Sequence, residues 1–284
     1  MTSISRKKTY LNLSDQEFDR RQFTKTFLDQ KAPYPGKSWT DELFPPNDIS
    51  ILGKDPTSSK LMSSLINTKD IVWKRVKEFI PEPMLFEDKI NPNVFKIGEV
   101  ANTYYISVLS SLEEYPNLIN QIFITKQANE EGVYQVSLFI DGEFQTVFVD
   151  DYFPISKTKN SPIFTKTTTS DFWGLILEKA WAKVNGGYSN IMFVSVSDLL
   201  RALTGFSCET IDTKGKETNY ISNSIKNAIN NKWLVFGSVR GDDNKAKKMG
   251  LVPGSTYNFL FYDEIREDNG KKILLVQVRN SWEA

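Results

Sequence analysis

The fold can be read from Ser170-Asp171-Phe172-Trp173-Gly174-Leu175-Ile176-Leu177-Glu178-Lys179-Ala180-Trp181-Ala182-Lys183-Val184-Asn185-Gly186-Gly187-Tyr188. Trp173, Leu177, Ala180, Trp181 and Val184 fall on one helical stripe, and Phe172, Leu175 and Ile176 on a second. A helix apolar on two sides is sandwiched inside a domain rather than laid on its surface. Ser170 is placed to cap it, Asp171 to favour its positive end, and Gly186-Gly187 to stop it.

Upstream, residues 134–140 alternate in polarity, Asp141-Gly142 is a strong two-residue turn signal, and residues 144–149 return as a strand. That strand ends in Asp150-Asp151. Adjacent residues on an extended strand point to opposite faces, so one carboxylate is expected to bond a neighbouring turn rather than share a metal or a proton with the other. Earlier still, residues 97–112 run from a glycine-containing loop into an apolar helix with Thr103 at the junction. Such a junction offers free N–H groups and a positive dipole end to an anion. Tyr104, Ile106, Val108, Leu109 and Leu112 make that helix a buried central one.

Residues 1–32 are strongly polar. Ser14-Asp15-Gln16-Glu17 has the form of a capping box, and Phe18, Phe23, Phe27 and Leu28 follow as a rough helical stripe. This stripe suits either an appendage docked on its own domain or a partner-binding helix. From residue 32 to 56 the chain is Pro-rich and aperiodic, an extended run anchored by Trp39 and Phe44. Past residue 205, residues 218–231 suit a helix, residues 233–239 a buried strand, and residues 240–248 a solvated charged loop. Residues 273–278 alternate as a closing strand. The lone Cys208 reads as a small core residue.

Composition narrows the chemistry. The 284 residues carry 35 basic and 35 acidic side chains, a formal net charge of zero, so no global field points to nucleic acid or to an anionic membrane. Hydrophobic content of 40% marks a folded globular chain. One cysteine excludes a disulfide framework and suits a reducing, cytoplasmic setting. Histidine is absent, which removes Ser-His-Asp and Cys-His catalysis and His-based metal sites from the sequence given. No signal peptide or membrane-spanning run is recognisable, and no cofactor is expected.

These motifs resemble the calpain cysteine-protease core. Residues 170–188 are similar to the calpain run Glu-Phe-Trp-x-x-Leu-Leu-Glu-Lys-Ala-Tyr-Ala-Lys-x-Asn-Gly-x-Tyr. Residues 149–154 resemble Val-Val-Asp-Asp-x-x-Pro, and residues 71–75 the Trp-x-Arg-Pro element with Val76 in place of proline. Residues 250–259 resemble Gly-Leu-Val-x-Gly-His-Ala-Tyr-Ser-Val, and residues 279–282 resemble Arg-Asn-Pro-Trp. The resemblance implies an α+β, papain-like two-lobed architecture: a polar N-terminal arm over 1–38, a mostly helical first lobe over 39–190, and an antiparallel β lobe over 191–284.

The resemblance also locates the degenerate site. Laid on Gln-Gly-x-Leu-Gly-Asp-Cys-Trp, residues 97–104 put Ile97 on the oxyanion glutamine and Thr103 on the nucleophilic cysteine. Ser255 stands for the histidine, and Asn280 keeps the asparagine. An internal threonine hydroxyl is weak without an adjacent base, and serine is no base at neutral pH. Phe193 and Val194 fall where calpains have glycines that admit a substrate backbone, and are expected to obstruct the cleft. Of the calcium ligands implied for the first lobe, Asp171 supplies one carboxylate and Val94 replaces the other, so no calcium switch is expected there.

The expected function is a catalytically dead protein-binding or scaffolding module, acting through the arm, the blocked cleft or an open sheet edge. The family's inactive members suggest a cytoskeletal or ciliary setting. Two alternatives stand beside it: a calcium-responsive regulatory module, and a residual endopeptidase using Thr103, Ser255 and Asn280. An end at Ala284 would leave the second lobe's sheet with an exposed edge, so either the chain continues or a partner completes the sheet.

Overall fold

The computed structural model describes residues 2–5, 37–87, 94–100, 102–192, 194–239, 244–266, 268, 270 and 272–281. Its elements begin with β1 (Thr2–Ser5), α1 (Asp48–Leu52), α2 (Pro56–Leu65), β2 (Ile71–Arg75), β3 (Phe95–Lys96), α3 (Thr103–Leu112) and α4 (Pro116–Ile122). The hairpin β4 (Val133–Ile140) and β5 (Glu143–Asp150) follows, then β6 (Tyr152–Ser156), β7 (Lys166–Thr167), α5 (Trp173–Val184) and α6 (Val196–Thr204). The last third holds β8 (Cys208–Ile211), α7 (Thr218–Asn230), β9 (Val235–Ser238), α8 (Asn244–Lys248), β10 (Thr256–Arg266) and β11 (Lys272–Arg279).

The central helix α5 is buried at every position from 173 to 183, including Glu178, Lys179 and Lys183. Its start differs from the sequence expectation. Ser170 does not cap it: Phe172 is the N-cap, with no side-chain cap bond. Instead the Ser170 amide donates to Glu87 Oε1 at 3.0 Å, the Asp171 carboxylate accepts the Glu87 amide, the Met84 amide donates to the Ser170 carbonyl at 3.0 Å, and the Phe172 amide donates to the Met84 carbonyl at 3.1 Å. A long-range backbone ladder has displaced the local cap. The C-terminal stop is as expected. Gly186 (φ +80°) and Gly187 (φ +157°) turn the chain so tightly that a Cβ on Gly187 would lie 2.6 Å from Gly53 Cα.

Packed on α5 are α3 and the hairpin β4–β5. The hairpin pairs from Val133↔Asp150 to Ile140↔Glu143, and Asp141 and Gly142 take positive φ in its turn. Trp173 sits against Phe86, Phe95 and Phe123, and Phe164 stacks on Tyr188 at 4.2 Å between ring centroids. Each large side chain buried in this way contributes about 1.5–3 kcal/mol. The core continues through α6, whose Leu199, Leu200, Ala202 and Leu203 are buried and which packs on α3, α4 and β4 as well as β8. Helix α6 thus packs against first-lobe elements as well as against β1 and β8 of the sheet.

The second lobe is a five-stranded antiparallel sheet in the order β11-β10-β9-β1-β8. Its second strand from one edge comes from the N-terminus: Thr2–Ser5 pairs with both β8 and β9. The remainder of the expected arm, including the Ser14–Glu17 capping box and the Phe18, Phe23, Phe27 and Leu28 stripe, lies outside the described residues. Helix α7 covers one face of the sheet, with Tyr262 Oη donating to Asn230 Oδ1 at 3.1 Å.

Two buried ion pairs tie the first lobe together. Lys179 pairs with Asp150, and Lys183 Nζ with Asp41 Oδ2 at 2.7 Å. The remaining valences are filled by backbone: Asp41 N–H donates to Asp150 Oδ2 at 2.7 Å, Lys179 donates to the Tyr152 carbonyl at 2.6 Å, and Lys183 to the Phe148 carbonyl at 2.8 Å. Asp151 points the other way, to Arg75, whose second nitrogen reaches the Trp39 carbonyl at 2.7 Å. The Asp150-Asp151 pair is therefore split between two structural contacts, as the strand alternation implied.

Removing one partner of a buried pair leaves an uncompensated charge. Lys179→Met is expected to destabilise the fold by about 3–5 kcal/mol in urea unfolding, whereas the exposed pair Lys77–Glu130 is expected to cost under about 1 kcal/mol on Lys77→Met.

Candidate functional site

The site is assembled where α3 meets the β10–β11 ladder. The loop before α3 is pinned from below: the Glu99 and Val100 amides both donate to the Ile163 carbonyl, at 2.7 and 3.1 Å. Gly98 rests directly on that segment, and a Cβ there would overlap the carbonyl oxygens of Ile163 and Phe164. Glycine is needed at 98 for close approach, not for a positive φ.

Helix α3 then begins at Thr103, with Asn102 as its N-cap and no side-chain cap bond. Its buried phenols fix its azimuth. Tyr104 Oη donates to the Ile191 carbonyl at 2.7 Å and accepts Trp181 Nε1 at 3.3 Å, and Tyr105 Oη donates to the Gly174 carbonyl at 2.7 Å. One turn beyond Thr103, Ser107 Oγ donates to the Thr256 carbonyl at 2.9 Å, and Asn258 Nδ2 donates back to the Ser107 carbonyl at 2.9 Å. A turn further, Arg279 reaches the Ser110 carbonyl at 3.2 Å and Glu114 Oε1 at 2.6 Å.

Asn258 and Arg279 are direct partners in the β10–β11 ladder. Ser255 lies just before β10 and Asn280 just after β11, at the end of the ladder that docks on α3 through Ser107 and Ser110. Ser255 is buried, Thr103 and Asn280 are half-buried, and Ile97 packs partly buried against the core. Val194 likewise packs on the core, while Phe193 lies outside the described residues. The chemistry gathered here is two hydroxyls, one amide and one alkyl group. None is a base at neutral pH, and none carries charge.

The titratable groups nearest to this helix are buried carboxyls that the sequence reading missed. Glu178 lies wholly inside, accepting the Thr165 amide at 2.9 Å and Asn102 Nδ2 at 3.4 Å; burial pushes it up to about 7. Glu113, at the C-terminal end of α3, has neither oxygen hydrogen-bonded; burial first, then Asp171 and Glu114, push it to about 9 against the pull of Arg279. The negative end of the helix dipole acts in the same direction. Asp171, pushed to about 6 by burial, keeps its bond to the Glu87 amide. Among the described residues no group of three or more Asp, Glu or Cys side chains could hold a metal ion. The signal for Glu178 was available: a charged residue inside a helix apolar on two stripes. Nothing in the local sequence marks Glu113.

These features define a calpain protease core, and the chain belongs to the calpain family: the family model described as calpain family cysteine protease matches residues 39–284. Calpain-type cysteine protease ADL1 of Oryza sativa subsp. japonica is 31% identical over 264 residues, covering 87% of this chain and 12% of that protein. Calpain-5 of Caenorhabditis elegans is 27% identical, covering 89% of this chain and 39% of that protein. The Calpain-1 catalytic subunit of Rattus norvegicus is 26% identical, covering 87% and 34%. The chain therefore spans about an eighth to two fifths of the length of these relatives. No helix among the described residues is long and apolar enough to cross a membrane.

Two outcomes follow from the packing. Gly98→Ala is expected to destabilise the chain by more than about 2 kcal/mol in urea unfolding, since two backbone carbonyls must move. For the carboxyls the linkage sign is the reverse of the usual acid case. Glu113 and Glu178 hold their protons to higher pH in the folded chain than in the unfolded one, so stability falls as pH rises from about 4.5 towards 9. Glu113→Gln is expected to flatten that fall and raise the melting temperature at pH 8, measured by thermal denaturation across pH 5–9.

Proposed function

We propose that this chain is a catalytically inactive calpain-like module that works by binding protein. The observation that carries the reading is the chemistry at the α3–β10 junction. By the resemblance, Thr103, Ser255 and Ile97 fall on the nucleophile, base and oxyanion positions, and the 284 residues contain no histidine to serve as a base from elsewhere. Losing a nucleophile or its base costs on the order of 10⁶ in a serine-protease triad, and losing one oxyanion donor on the order of 10²–10³. These losses do not multiply, yet nothing remains to start the reaction. Asn280 can orient a base only if there is one to orient.

The pinned loop, the paired tyrosines and the Ser107–Asn258 contacts hold the junction in place for packing rather than for turnover. A protein-binding role, in a cytoplasmic assembly of cytoskeletal or ciliary type, is what such a retained but unreactive scaffold offers. Of the calcium carboxylates implied for the first lobe only Asp171 is retained, and it accepts the Glu87 amide.

The test is hydrolysis of a fluorogenic casein substrate with and without calcium. Wild type is expected to match a Thr103→Ala variant at the level of buffer. A wild-type rate above buffer that disappears in Thr103→Ala would overturn the reading.

A further inference from the structure

Strand β1 lies inside the sheet, between β8 and β9, and is antiparallel to both. Ser3 pairs with Thr210 on one side and Phe236 on the other, and Ile4 with Glu209 and Val235. Strands β8 and β9 therefore run parallel to each other, and α7 is the crossover that joins them. The arrangement is a split βαβ unit, whose crossover leaves a gap one strand wide. Without β1 the two edges would face each other across about 9.4–9.8 Å, twice the ordinary strand spacing, too far to pair. The gap has a built floor: Ile211 of β8, Val235 of β9 and Ala228 of α7 form one buried apolar cluster that bridges its two sides. Helices α6 and α7 both pack on the strand that fills it. That strand is four residues long, and residues 6–36 separate it from the next described segment. Fully extended, such a length spans on the order of 100 Å, so β1 can leave without dragging another element with it.

We propose that the β8–β9 gap is a strand-acceptor site, with residues 2–5 as its exchangeable resident and an extended, uncharged segment of a partner protein as its ligand. This rests on the protein-binding reading and deepens it by naming the surface and the class of partner. Recognition falls on the main chain. A strand entering the gap is hydrogen-bonded along both edges, whereas one added to the outside of a sheet is bonded along one. The resident sequence, Thr-Ser-Ile-Ser, shows what the site takes: no charge, no proline and no glycine. Being part of the same chain, the resident competes at a high effective concentration and holds the site closed. A partner segment enters when that strand withdraws, and the bared edges of β8 and β9 are covered again.

The test is fluorescence anisotropy with a labelled peptide of residues 1–8, Met-Thr-Ser-Ile-Ser-Arg-Lys-Lys, added to the full chain. Ser3→Pro in the chain removes a backbone donor and puts a ring inside a strand paired on both sides, so it expels the resident. The Ser3→Pro chain is expected to bind the peptide tenfold or more tightly than wild type does. A peptide that itself carries Ser3→Pro is expected not to bind. Hydrogen exchange at residues 208–211 and 235–238 is expected to quicken tenfold or more in the Ser3→Pro chain, and to slow again when the wild-type peptide is added. Ser3→Gly, which keeps every backbone donor and only weakens the strand, gives the same order of effects at smaller amplitude should Ser3→Pro fail to fold. No binding to either variant, equal binding to variant and wild type, a proline peptide that binds as well, or unchanged exchange at both strands each overturns the proposal. These readouts are independent of hydrolysis. A chain that cleaves casein yet takes the peptide loses the inactive reading alone, and one that does neither loses the strand site while remaining an inactive module.

Discussion

Lys179 and Lys183 occupy one face of a helix that has no solvent-facing side, and the rest of the first lobe is arranged to receive them. Taking two ammonium groups out of water is expensive, and the Coulombic return covers the expense only if each remaining donor finds an acceptor. Asp150, Asp41, and the carbonyls of Tyr152 and Phe148 supply these acceptors. The requirement reaches far along the chain. Asp41 belongs to the extended segment that wraps the lobe, Asp150 ends the hairpin, and Tyr152 begins the strand that pairs with β2. One helix face thereby sets the relative positions of three segments that hydrophobic packing alone would leave free to slide.

The same economy explains the α3–β10 junction. Polar contacts cross the α3–β10 junction, Ser107 to Thr256, Asn258 to Ser107 and Arg279 to Ser110, two of them buried, beside apolar packing in which Phe236 and Tyr257 join the core. Polar contacts of this kind have a preferred geometry, so they select one relation between helix and sheet where an apolar seam would tolerate several. The junction of helix and sheet is an articulation made of hydroxyls and amides.

Much of this was legible in the sequence. The hairpin around Asp141-Gly142 declared itself because alternation and turn chemistry agreed, and α5 declared itself by its two apolar stripes and its glycine stop. The splitting of Asp150 from Asp151 followed from strand geometry. Other features were hidden because their causes are remote. Ser170 looked like a cap only because its competitor, the backbone of residues 84–87, lies more than 80 positions away. The strand at Thr2–Ser5 carries no pattern in four residues, and its place is set by β8 and β9. The α6 helix sits with the first lobe because Leu199 and Leu203 match a surface on α3 and β4 that local periodicity cannot show. The substitutions at Ile97, Thr103 and Ser255 were readable only against the family pattern, since nothing in an isoleucine or a serine announces a missing glutamine or histidine.

Gly98 carries a consequence for how such chains are recognised. Its lack of a side chain is demanded by the carbonyls of Ile163 and Phe164 beneath it, a constraint that persists whether or not the neighbouring helix presents a nucleophile. A glycine of this kind belongs to the masonry and not to the reaction. Searches that weight such positions will gather active and silent members of a family with equal ease. Only the few side chains that nothing else in the fold requires can tell the two apart.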